Sequence, residues 1–194
     1  MYKYLNKKLN LVMEEKIVNN ISYKMLSEGW PNVEKQPPSP NTVRSIFSIY
    51  SGRDSELTLM LEYIYNAMVL REQNEGFLSE LFDAVANDQM QHLRHLGRLI
   101  CRYGGEPRFI SYIGGRGIPW SSGAIRHEKN INNILYQSIN AERLVLNQHK
   151  ALYNHMLDSS PKSLISRIMR NHEHHINIFE HALHNSAVKS KKQE

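Results

Sequence analysis

Four stretches of the chain, about residues 54–72, 76–104, 125–158 and 162–186, carry apolar residues at helical spacing with almost no internal glycine or proline. Each is long for a globular helix, and amphipathic helices of such length bury their apolar stripes against one another. Asn74, Glu75 and Gly76 separate the first two stretches, and Asp158, Ser159, Ser160 and Pro161 the last two. Links so short make each pair an antiparallel hairpin. Between the hairpins runs a connection holding Gly104, Gly105, Gly114, Gly115, Gly117 and Gly123, long enough to cross the bundle. The fold class expected is therefore all-α: a four-helix bundle over 45–186, made of two hairpins joined by a long crossover. Residues 1–44 are polar, carry the breaker run Pro37, Pro38, Ser39, Pro40 and read as an N-terminal extension or lid, with a short helix around 11–26. Residues 187–194 read as a basic tail.

Composition narrows the function classes. With 41% hydrophobic residues over 194 positions, one domain with a substantial core is expected. The net charge of +5 owes much to end segments, Lys3, Lys7, Lys8 and Lys189, Lys191, Lys192, which points to solvated tails and away from a nucleic-acid groove. The single cysteine, Cys101, lies in an apolar-periodic stretch and reads as a small core residue, consistent with a reducing compartment. No run resembles a signal peptide or approaches the roughly 20 apolar residues of a membrane span. A cytoplasmic protein is expected. There is no phosphate-binding glycine loop and no pair of closely spaced cysteines.

The chemistry emerges when each helix is read with the alternating 4, 3 spacing of one buried seam. The second gives Leu78, Phe82, Val85, Gln89, His92, Leu96, Leu99, Tyr103, and the third Ile131, Leu135, Ser138, Glu142, Val145, His149, Leu152, Met156. The fourth gives Ile165, Ile168, His172, His175, Phe179, Ala182, and the first Glu56, Met60, Tyr63, Ala67, Leu70. Polar side chains bracketed by apolar ones point into the core. Depth agrees with direction: Glu56 and His92 each lie 18 residues from a link centred near residue 74, and Glu142 and His175 lie 18 and 15 residues from one centred near 160. At helical rise these levels match to within about 5 Å, with Gln89 and His172 one turn nearer the links. Burying carboxylates costs several kcal/mol unless they are compensated. A divalent cation compensates them, and imidazole with carboxylate suits Fe, Mn or Zn; a hydrogen-bonded Glu/His network without metal is the competing explanation. His149 reads as a hydrogen-bonded core residue, Tyr63 and Tyr136 as core aromatics able to support a ligand, and His95, His174, His181 and His184, off the seams, as surface residues.

At these residues the chain resembles the rubrerythrin-like and manganese-catalase-like branch of the ferritin-like superfamily, which includes spore-coat-type relatives. The resemblance covers roughly residues 45–186 and rests on Ser-Glu-Leu-Thr at 55–58, Met-Gln-His-Leu followed by Leu-Gly at 90–97, Gly-Gly-Glu-Pro-Arg-Phe at 104–109, Asn-Ala-Glu at 140–142 and Arg-Ile-Met-Arg-Asn-His-Glu-His-His-Ile at 167–176. The family pattern is a Glu, a Glu-x-x-His, a Glu and a second Glu-x-x-His on successive helices. Carried across, it implies metal ligands at Glu56, Gln89 with His92, Glu142, and His172 with His175. Two glutamates of the pattern are thus Gln89 and His172. Each replacement removes a negative charge, leaving Glu56 and Glu142 with charge enough for one divalent ion, although two ions or none remain open. The resemblance implies a metal-dependent oxidoreductase acting on peroxide or oxygen, or a metal-handling protein, paired as a homodimer. The alternative is a non-catalytic structural or interaction protein that keeps the bundle alone.

Overall fold

The computed structural model describes residues 29–191, with side chains to residue 186. The expected helix at 11–26 lies outside the described residues, and the basic tail at 187–194 outside the described side chains. Helix α1 (Pro40–Ser51) precedes the bundle and begins inside the stretch read as an extension. Its proline run opens the helix instead of breaking it: Ser39 caps Thr42 N, and Pro40 stands at the first helical position, where its missing N–H is harmless. The bundle follows as α2 (Glu56–Glu72), α3 (Gly76–Arg102), α4 (Ile131–His155) and α5 (Ser159–Lys191).

Both ends of α2 have a chemical cause. Ser55 caps α2 through its side chain, and Asn74 takes a left-handed φ of 61° after the helix so that Glu75 N reaches back to Leu70 O. Helix α3 ends alike, with Gly104 at φ 80° and Gly105 N on Ile100 O. Pro161 sits in the first turn of α5, not in a link, since a proline there forfeits no helical hydrogen bond.

The crossover holds more than loop. Strands β1 (Ile110–Ile113) and β2 (Arg116–Pro119) form an antiparallel hairpin whose turn, Gly114–Gly115, needs positive φ at both residues. It packs on α1, where Phe47 meets Tyr112, Tyr50 stacks on Phe109 and Ser51 Oγ donates to Ile110 O at 2.6 Å.

The predicted seams are the buried ones, with Met60 and Ile131 only partly covered. Two residues expected in the core are not there. Cys101 is exposed, because it lies on the far side of the last turn of α3 from Leu99 and Ile100. Tyr136 is 60% exposed, one residue and therefore about 100° around the helix from buried Leu135. His181 and His184 are exposed as expected, whereas His95 and His174 are half-buried. The apolar core divides into two clusters, one around Phe82, Leu135 and Phe179 and the other around Leu96, Leu152 and Ile165. A polar layer separates them. Among the described residues, no helix is long and apolar enough to cross a membrane.

Candidate metal centre

The layer is built from all four bundle helices. Glu56 is the first residue of α2, where the positive helix end favours a carboxylate. Gln89 and His92 lie one turn apart on α3, as do His172 and His175 on α5, and Glu142 comes from α4. All six are at most 1% exposed. The structure adds a seventh, His149, expected as an ordinary hydrogen-bonded core residue: it is fully buried, with Nε2 3.1 Å from Glu56 Oε1.

His172 occupies the middle. Its Nε2 is 3.0 Å from Glu56 Oε1 and its Nδ1 is 2.5 Å from Glu142 Oε2. Glu142 also receives hydrogen bonds at Oε1 from Tyr63 Oη at 2.7 Å and Gln89 Nε2 at 2.8 Å. Because the Gln89 amide gives its nitrogen to Glu142, its oxygen faces His92 Nδ1 at 3.0 Å, and Glu56 Oε2 faces the same nitrogen at 3.1 Å. Two acceptors fix the proton on His92 Nδ1. Its Nε2 then accepts from Asn171 Nδ2 at 3.0 Å, with Asn171 Oδ1 held by Arg167. His92 is therefore fully hydrogen-bonded as a neutral ring. Trp30 shields it, with its ring edge-on to His92, stacked on His95 and under the Arg167 guanidinium.

The other two histidines differ. His149 Nδ1 lies 2.9 Å from Val145 O, so that nitrogen donates to the carbonyl and leaves Nε2 aimed at Glu56. His175 Nε2 lies 3.1 Å from Asp88 Oδ2, leaving Nδ1 aimed at Glu142 Oε2 from 3.5 Å. Neither His149 Nε2 nor His175 Nδ1 finds a hydrogen-bond partner among the described residues. Each faces a carboxylate oxygen, an acceptor facing an acceptor unless a cation or proton intervenes. Asp88 and Asn171 carry no signal in the seam spacing, since each precedes a seam residue by one position.

Electrostatics reflect the crowding. Burial opposes charge on Glu56, yet His172 and His92 hold its carboxyl well below the usual carboxylate range. Glu142 is likewise penalised by burial but brought down to about 2 by His172 and His175. Burial alone would lower His172; Glu56 and Glu142 together push it up to about 10, and the Glu142 carboxylate with the Asp88 hydrogen bond brings His175 to about 9. Burial dominates at His92 and keeps its pKa low.

Two sets of side chains bring ligand atoms close enough to hold an ion: Glu56, His149 and His172, and Glu142, His172 and His175. Each contains one of the two unpartnered ring nitrogens. The donor set of imidazole nitrogen and carboxylate oxygen fits Fe, Mn or Zn.

No family model and no curated protein matches the sequence. Solved structures do. KatB, a manganese catalase from Anabaena, is similar to 83% of this chain over 79% of its own, with a TM-score of 0.72 at 17% identity. A bacterioferritin from Rhodobacter capsulatus, described with a metal-free dinuclear site and heme iron, is similar over 76% of this chain and 86% of its own, with a TM-score of 0.64 at 12% identity. The chain has the ferritin-like fold, with a buried His/Glu layer at mid-bundle capable of holding a metal.

Proposed function

We propose that the His/Glu layer is a remodelled transition-metal centre and that the protein is a ferritin-like oxidoreductase or metal-handling protein working on peroxide, oxygen or the metal itself. The observation that carries this is the pair of buried ring nitrogens, His149 Nε2 and His175 Nδ1, each locked from behind by an acceptor and aimed at a carboxylate. Locking one imidazole nitrogen with a hydrogen bond so that the other can ligate is the usual outer-shell arrangement of metal sites. Glu56, Glu142, His149, His172 and His175 would hold the ion. Gln89 and His92, fully hydrogen-bonded, position the two glutamates, and Tyr63 steadies Glu142. A bound iron or manganese would supply electron transfer to peroxide or oxygen, whereas zinc would supply only Lewis acidity. The manganese catalase and the bacterioferritin support the redox reading by fold alone. Exposed Ile64 and Met68 on α2 and Tyr136 and Leu144 on α4 support pairing as a homodimer.

A second reading has an observation of its own. Without an ion the layer is nearly complete, since a doubly protonated His172 bridges both carboxylates, as in a bundle kept for structural or interaction purposes alone. Calorimetric titration with Mn²⁺ or Fe²⁺ separates the two. Tight binding that falls at least tenfold in Glu142→Ala, together with peroxide or oxygen consumption by the loaded protein, supports the metal centre; no binding by a folded wild type supports the structural bundle.

A further inference from the structure

We infer that His172 is a bridging ligand, one imidazole joining two cation sites, so that the centre holds two divalent ions. The inference rests on the metal-centre reading above and concerns how that centre is organised. The two candidate ligand sets share one residue, His172, and share it through different atoms: Nε2 belongs with Glu56 and His149, Nδ1 with Glu142 and His175. A carboxylate bridges two cations with oxygens on one carbon. An imidazole offers two nitrogens on opposite edges of its ring, and here each edge meets a separate carboxylate-plus-imidazole pair.

The layer is otherwise segregated into the same two halves. Val145 O holds His149 so that its free nitrogen serves the Glu56 side, and Asp88 holds His175 so that its free nitrogen serves the Glu142 side. Among the seven layer residues, only His172 and the Gln89–His92 pair touch both glutamates. The Gln89–His92 pair does so through an amide nitrogen and a protonated ring nitrogen, neither of which can ligate. A histidine at 172 thus offers one ring nitrogen to each half of the layer.

Zinc titration with direct metal analysis tests this on the full chain, using wild type, His149→Gln, His175→Gln and His172→Gln, with helical content checked for each. Two equivalents in wild type, one in each of His149→Gln and His175→Gln, and a loss of at least tenfold in affinity at both sites in His172→Gln are expected. Should His172→Gln fail to fold, the other two variants still decide. A single wild-type equivalent abolished alike by His149→Gln and His175→Gln would overturn the bridge while leaving the metal centre standing. No zinc bound by folded wild type would overturn both.

Discussion

At the scale of single residues, protonation and metal compete for the same atoms. In the metal-free protein the raised His172 and His175 stabilise the fold fully below the ordinary histidine pKa of about 6.5, and that contribution disappears as pH rises through about 9 to 10. The depressed Glu142 works in the opposite direction, contributing above the ordinary carboxylate range and losing its effect as pH falls toward about 2. Chelated protein should therefore show its highest Tm near pH 5 to 6, with a decline of several degrees by about pH 9, read by thermal denaturation across a pH series. A flat profile above pH 6 would mean that these histidines carry no proton in the folded state. Asp88 acts one step removed, fixing which nitrogen of His175 is free. Asp88→Asn should weaken metal binding about 10–100-fold while leaving the helical spectrum unchanged, and an unaltered affinity would show that His175 is not a ligand.

Elements decide how well those residues are aimed. Gly52 closes α1 four residues before α2 begins, and its carbonyl accepts from Ser55 Oγ at 2.7 Å and Thr58 Oγ1 at 3.2 Å, which ties it to the α2 cap. A Cβ on Gly52 would stand 2.3 Å from Ser48 O, a backbone atom that cannot swing aside. Gly52→Ala should therefore cost about 1–3 kcal/mol in thermal denaturation and, by displacing the cap, shift Glu56 and weaken metal binding. The crossover contributes in the same region. Trp120 Nε1 donates to Thr58 Oγ1 at 2.9 Å, and Arg126 pairs with the buried carboxylate of Glu62. Apolar packing beside the layer is as exacting: Leu96→Ala, at a fully buried position, should lower stability by about 2–5 kcal/mol.

Over the whole molecule, what the sequence made legible is what period and count can reach. Seam spacing identified Gln89, His92, Glu142, His172 and His175 as inward-facing because apolar neighbours fix the phase of a helix. Counting from the links placed them near one level because α2 packs along α3, and α4 along α5, as hairpins. His149 escaped for a physical reason. It lies seven residues, about 10 Å, along α4 from Glu142, and its carboxylate partner is Glu56 on α2, in the other hairpin, whereas counting from a link compares levels only within one hairpin. Asp88 and Asn171 were illegible because each stands one position, about 100°, off its seam, and the hairpin in the crossover because its residues barely alternate in character. Helix α1 was hidden by prolines that read as breakers and serve as a helix start.

The most direct test is the metal content of the full chain, purified without chelator or a nickel column and measured by elemental analysis per folded chain. The buried His/Glu layer predicts at least one equivalent of iron, manganese or zinc, with a rise in Tm when the same ion is returned to chelated protein. Protein that is folded, binds none of these ions and melts at the same temperature with or without them would contradict a metal centre and leave the layer as a hydrogen-bonded core.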